Sequence, residues 1–326
     1  MGRIDLKKVV LSVSVACVVA SLGAADYVAK KKVLFDCDIG SDIDDSLALA
    51  YLLCEPQCEL VGITTVSGEP HLRAAMASAI CRNAGRTDIP IHVGIDRPFL
   101  HASKQPQAQQ ARKLANWPHD VFRNENTAVE FMRRTIRDNP GEITLLAVGP
   151  MSNVAALFAS DPEIPSLLKE FVVMCGLFLR PGYSREWNGI CDPVATALVY
   201  GAGPQTRPRF HCSYGLDVTL KVAMKADEAR KAFASCKVLA PVADFVEVWF
   251  KQNANVCYHD PLAAVCLFHP EVCAYMDGQV TVPLSGEEAG WTVFNPEAAE
   301  KPHKVAHGVN VGRFFKIYFD TVKGLK

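Results

Sequence analysis

The sequence predicts an α/β fold, a mainly parallel sheet with helices on both faces. Three observations lead there. Short apolar runs alternate with longer runs of helical periodicity along most of the chain. The short runs are apolar nearly throughout, as expected of strands buried on both faces. With 326 residues, 49% of them hydrophobic, the chain can fill a large core.

KKVLFDCD (31–38) reads as a buried first strand and DDSLALAYLL (44–53) as the helix after it. CELVGITTVSG (58–68) is the second strand. HLRAAMASAICRNAG (71–85) has helical periodicity and stops at Gly85, a usual helix terminator. IPIHVGI (89–95) is again strand-like, and then the polar stretch SKQPQAQQARKLANWPHD (103–120) breaks the rhythm. Thr127 and Glu130 have capping-box spacing ahead of AVEFMRRTIRDN, a helix that stops before Pro140. ITLLAVG (143–149), a helix from about Ser152, and EFVVMCGLF (170–178) restore the alternation. In the C-terminal third, APVADFVEVWFKQNA (240–254) and CYHDPLAAVCLF (257–268) read as helices. GQVTVPL (278–284) and GWTVF (290–294) read as a hairpin, and NVGRFFKIYFDTVKGL (310–325) as a strand-to-helix passage. No linker interrupts the series, so residues 26–326 are expected to form one domain on a Rossmann-like sheet.

Residues 1–25 are expected to stand apart as a secretory signal. MGRIDLKK is a basic n-region, VVLSVSVACVVASLGA an apolar h-region, and GAA a small-x-small cleavage site before Asp26. The apolar run is shorter than the ~20 residues of a membrane-spanning helix. Export to a bacterial periplasm or medium is the expectation, with no membrane attachment after cleavage. A net charge of −1 offers no basic field for nucleic acid. Twelve cysteines, several in apolar contexts, show no zinc-site spacing and suggest few disulfides.

The chemistry concentrates where the first strand meets its helix. VLFDCDIGSDIDDSLALA (33–50) holds Asp36, Asp38, Asp42, Asp44 and Asp45. In parallel sheets ligands bind beyond the carboxyl ends of strands, and the cluster lies there. Clustered carboxylates need a metal, hydrogen bonds or protons. An EF-hand is excluded, because its fifth and twelfth positions would be Gly40 and Leu47. A haloacid-dehalogenase-type phosphatase would follow Asp-x-Asp with Thr or Val, not with Ile39-Gly40. What fits is an oxygen-lined Ca2+ site using Asp38 and Asp45 at a helix N-terminus, with more ligands from elsewhere in the chain.

Over residues 32–322 the chain resembles the inosine-uridine-preferring nucleoside hydrolase family. That family begins with Asp-x-Asp-Pro-Gly-x-Asp-Asp, and here Asp36-Cys37-Asp38-Ile39-Gly40 leads to Ile43-Asp44-Asp45. VGITTVSG, IPIHVGIDRPFL, ITLLAVGPMSNVA, REWNGICDPVAT and YHDPLAAV match further family segments in the right order. The resemblance implies the nucleoside hydrolase fold and a nucleoside or related pentosyl substrate. It implies Ca2+ held by Asp38, Asp45, Asp260 and the Val148 carbonyl. Asp38 would be the general base for the attacking water. Asp44, Glu186, Asn188 and Met174 would meet the pentose. His259 would either protonate the leaving group or merely orient Asp260. The same resemblance suggests a dimer or tetramer. Asp36 is expected to be structural and to accept loop N–H bonds, Asp42 to support the loop, and Asp192 to cap a helix.

Departures fall on the substrate side. Ile39 replaces Pro, and two extra residues, Asp42 among them, lengthen the first motif. Glu69 stands where the family usually has a ligand-binding Asn, and 102–120 lacks the usual His-Gly loop. Arg180 and Tyr183, before Glu186, are free to meet a ligand or solvent. The expected activity is hydrolysis of the N-glycosidic bond, with an unassigned leaving group. The alternative is a nucleoside- or ribose-binding protein that has lost turnover.

Overall fold

The computed structural model describes residues 29–180 and 185–324. The expected signal at 1–25 and Tyr183 lie outside these residues. The strands are β1 (Lys31–Cys37), β2 (Cys58–Thr65), β3 (Ile91–Val93), β4 (Ile143–Ala147), β5 (Glu170–Met174), β6 (His211–Tyr214), β7 (Ala223–Lys225), β8 (Asn255–Cys257), β9 (Cys273–Thr281), β10 (Val293–Asn295) and β11 (His303–Val309). Nine of those described form one sheet in the order β10-β9-β11-β6-β5-β4-β1-β2-β3, and β7 pairs with β8 apart from it. From β11 to β3 all neighbours run parallel, while β9 is antiparallel to both β11 and β10.

The period of two explains the layering. Val33 and Phe35 point into one core with the helices Asp44–Cys54, Pro70–Asn83, His259–Cys266 and Val311–Val322. Leu34 points into the other, with Ala128–Asp138, Ser152–Ser160 and Pro193–Tyr200. Central β1 is therefore apolar on both faces from Val33 to Phe35. Between β1 and β4 the strand order reverses, β1 leading outward to β2 and β4 lying on its other side. A crevice at such a switch point is where parallel sheets bind ligands. Asp38 and Val148 are the first residues beyond these two strands.

Three sequence expectations change. Thr127 does not cap its helix, because its hydroxyl pairs with His92 Nδ1 on β3 at 3.0 Å. Glu130 turns instead to Arg133 and Arg134, at 2.8 and 2.7 Å. A tertiary partner has displaced the local one. The C-terminal passage is helical from Val311, and its strand is the earlier His303–Val309. Within 103–120 a 3-10 helix forms at Gln109–Asn116. The hairpin is formed by β9 and β10. Among the described residues no helix is long and apolar enough to cross a membrane.

Candidate active site

A cavity of about 570 Å³ opens at the carboxyl ends of β1, β4 and β5. Its floor is acidic. Asp44 opens the helix Asp44–Cys54 and Asp260 is the second residue of His259–Cys266, so two helix N-termini face the same point. These helices pack together, and Tyr318 of the C-terminal helix anchors the first by donating to the Leu47 carbonyl at 3.0 Å. One carboxylate oxygen from each of Asp44, Asp45 and Asp260 lies within 4.8 Å of the other two. The Asp260 N–H donates to Asp44 at 3.3 Å, and the Asp38 N–H to Asp45 at 2.9 Å. Asp38 lines the cavity beside this trio without being a member of it.

Burial pushes Asp44 up to about 6 and raises Asp45 and Asp260 well above the carboxylate range, with mutual repulsion adding to the latter two. Asp38 is raised by burial and opposed by Arg73 and Gln105. Asp42 does more than support its loop. It lines the cavity, with a carboxylate oxygen grouped with Asp44 and His259, and burial raises it too. His259 Nδ1 is 2.7 Å from Thr219 Oγ1, and burial lowers this imidazole to about 4, so it is neutral at neutral pH.

The remaining expected residues have specific partners. Asn188 Nδ2 donates to the carbonyls of Val148 at 2.7 Å and Met174 at 3.0 Å, which ties the ends of β4 and β5 together. Glu186 caps the helix Trp187–Cys191, accepting from the N–H groups of Asn188 and Gly189 at 2.8 and 2.9 Å, and from Gly176 at 3.1 Å. Val148, Met174, Glu186 and Asn188 all line the cavity. Asp36 does not. Its Oδ1 accepts from Thr64 at 2.6 Å and Asn153 at 2.8 Å, side chains rather than the expected loop N–H groups, and burial lifts it to about 7. Asp192 caps its helix through Ala195 N–H at 3.1 Å and also accepts from Ser152 at 2.7 Å. Arg180 is exposed and lies off the cavity.

The fold places further residues here that the sequence reading passed over. Arg73 is 0% exposed. Its Nε donates to the carbonyls of Ser67 and Gly68 at 2.8 and 2.9 Å, and its guanidinium reaches Asp38 O, Ile39 O and Ser41 Oγ. One side chain thus joins the turns after β1 and β2. Ser67 and Glu69 both adopt left-handed backbone there, with φ of 67° and 57°. This geometry turns Glu69 away from the cavity, where its carboxylate accepts the Ala108 N–H at 2.9 Å. Gln110 donates its main-chain N–H to Gly40 O at 3.0 Å and its side-chain amide to the carbonyls of Ser41 and Asp42. Gln105 donates to Asp38 Oδ2 and accepts from Trp187 Nε1 at 2.6 Å. A signal for Arg73 existed: it shares the apolar face of its helix with Met76, Ala77 and Ile80. No sequence signal marked the glutamines.

Comparison with known proteins decides the lineage. Residues 33–316 match the model of the inosine-uridine preferring nucleoside hydrolase family. The chain belongs to this family. Nucleoside hydrolases are N-glycosidases, and the protein is accordingly an enzyme that hydrolyses an N-glycosidic bond. It is 29% identical over 290 residues to a probable uridine nucleosidase of Arabidopsis thaliana, covering 81% of this chain and 85% of that one. It is 28% identical over 271 residues to a pyrimidine-specific ribonucleoside hydrolase of Citrobacter koseri, covering 78% and 85%. Among solved structures, the purine-preferring ribonucleoside hydrolase from Gardnerella vaginalis superposes with a TM-score of 0.77 at 23% identity, over 90% of this chain and 99% of that one. An inosine-uridine preferring hydrolase from Bacillus anthracis gives 0.73 at 22% identity over the same shares. The nucleoside hydrolase fold is thereby shown, and the acidic floor is a site that could hold a metal ion.

Proposed function

We propose that this nucleoside hydrolase is Ca2+-dependent, acts on a ribonucleoside and uses Asp38 as its general base. The observation that carries the reading is the buried group Asp44, Asp45 and Asp260 at the switch point of the sheet, with Asp38 beside it. The donors suit a hard cation. They are carboxylate oxygens, the Val148 carbonyl lines the same cavity, and no described Lys or Arg pairs with Asp44 or Asp260. Asp38, Asp45, Asp260 and the Val148 carbonyl would hold Ca2+, with Asp44 close enough to contribute or to meet a ribose hydroxyl. When bound, the ion supplies charge compensation and a water of lowered pKa.

Asp38 takes the proton of the attacking water. Gly149 leaves it room, since a Cβ there would lie 2.9 Å from Asp38 Oδ1. Asp44, Glu186, Asn188 and Met174 face the pentose, and the carboxylates favour the positive charge that develops on the ribose. His259, neutral and on the cavity wall, faces the leaving base. Uridine is the first candidate substrate, because the curated relatives are named for uridine and pyrimidine nucleosides. Export after cleavage near Asp26 and assembly into a dimer or tetramer complete the reading. Mass spectrometry of the N-terminus of exported protein and light scattering in solution test these two.

The deciding experiment is ribose release from uridine, cytidine, inosine and modified ribonucleosides, with Ca2+, with a chelator, and in Asp38→Ala. Release that requires both Ca2+ and Asp38 is expected. Ca2+-dependent binding of an intact nucleoside without release would replace the hydrolase with a binding protein.

A further inference from the structure

We propose that Gln105 is the positioning residue for Asp38 and that it couples this carboxylate to Trp187 at the mouth of the cavity. The inference rests on the proposed role of Asp38. Gln105 belongs to the polar 103–120 stretch, yet it is only 4% exposed. Both ends of its carboxamide are engaged: Nε2 donates to Asp38 Oδ2, and Oε1 accepts the Trp187 indole N–H at 2.6 Å. The amide orientation follows from these partners, because a carboxylate accepts only and an indole N–H donates only.

The two partners differ in what surrounds them. Asp38 is buried on the acidic floor. Trp187 is 50% exposed, and with its N–H occupied it offers the cavity an aromatic face. A planar base stacked on that face restrains the indole, the indole holds the Gln105 oxygen, and the Gln105 N–H group fixes the Asp38 carboxylate. A general base must be held within a fraction of an ångström of its productive geometry, so such a link affects turnover more than binding. Gln105 cannot drift independently. Gly68 lies under it so closely that a Cβ there would be 2.2 Å from the Gln105 carbonyl oxygen, and Ala108 and Gln110 pin the following residues. The 103–120 loop thus reaches the Asp38 carboxylate through one side chain.

The test uses the full chain and the variants Gln105→Leu, Gln105→Glu, Trp187→Phe and Gln105→Leu/Trp187→Phe. With uridine, or the best substrate of the panel, both Gln105 variants are expected to lower kcat about 10- to 100-fold while KM moves less than about threefold. Trp187→Phe keeps an aromatic face and removes the indole N–H, so a smaller loss of kcat is expected. In the double variant the losses should multiply to less than their product, the signature of a shared path. An unchanged kcat in a folded Gln105→Leu protein, or full multiplicativity, overturns the proposal. A second readout needs no turnover. In metal-free protein labelled with 15N-tryptophan, Asp38→Ala should move the Trp187 indole N–H resonance, and should not move it in a Gln105→Leu background. A resonance indifferent to Asp38 overturns the coupling even if the hydrolase reading stands. A resonance that moves in a protein that releases no ribose preserves the coupling and removes the hydrolase reading.

Discussion

The floor and the mouth of the cavity are built by different means. On the floor, Asp38, Asp44, Asp45 and Asp260 sit at a strand end and at the first turns of two packed helices, so regular backbone places them. At the mouth, the 103–120 segment has only a short 3-10 helix, and side chains place it. Gln110 holds the lengthened motif, Glu69 holds Ala108, and Asp244 gathers Lys113, Asn116 and Trp117 at 2.7, 2.6 and 3.2 Å. The departures from the family pattern touch one another. The two extra residues, Glu69 and the rewritten loop form one hydrogen-bonded unit, so they read as a single replacement rather than three. The floor is held by elements and the mouth by side chains, with Gln105 as the contact between them.

The largest effect that separates the two regions is Asp260→Ala. It should abolish measurable Ca2+ binding in calorimetry and lower kcat/KM by about 10³ or more. Undiminished Ca2+ affinity would dissolve the floor as a unit. Next, saturating Ca2+ should raise the thermal midpoint, because the ion relieves repulsion among buried carboxylates. At 100 times Kd the stabilisation is about 2.7 kcal/mol, and a chelator should reverse it. A midpoint indifferent to Ca2+ would break this half of the comparison.

For the mouth, Asp244→Ala should free the 109–116 segment from its helix. Expected are a several-fold rise in KM, a loss of about 1–2 kcal/mol in denaturant unfolding and unchanged Ca2+ affinity. A parallel loss of Ca2+ affinity would show that the regions are not separable. The smallest effect is a control outside both. His303 on β11 accepts the Val280 N–H at 2.9 Å and is lowered by burial to about 4, and burial lowers His211 beside it as well. A depressed folded pKa gives stability that is present above about 6.5 and is lost as pH falls toward 4. The raised carboxylates Asp36, Asp44, Asp45 and Asp260 act in the opposite direction and are common to both proteins, so the difference carries the test: between pH 6.5 and 4 the midpoint of His303→Gln should gain on that of the parent in chelated protein.

Much of the floor was legible because its determinants are local. An apolar run ending in Asp-x-Asp, a helix opening with Asp44-Asp45 and another opening with His259-Asp260 each announce a carboxylate at an element end. That Asp42 lines the cavity was not legible, because nothing local shows that Gln110 holds its loop or that His259 lies near its carboxylate. The Thr127 cap failed for the same reason: His92 lies 35 positions away in the chain and beside it in space.

By itself, then, the sequence determined the alternating elements, the parallel sheet, the family and the residues at the ends of strands and helices. Period, caps and motif order act over a few residues, and those forces survive in one dimension. Tertiary structure alone decided that Asp44 joins Asp45 and Asp260, that Arg73 ties two turns together, that Glu69 faces a loop instead of a ligand, and that Gln105 links Asp38 to Trp187. Each of these is a polar contact between distant segments, fixed only when burial removes water and leaves every donor and acceptor to find its partner within the protein.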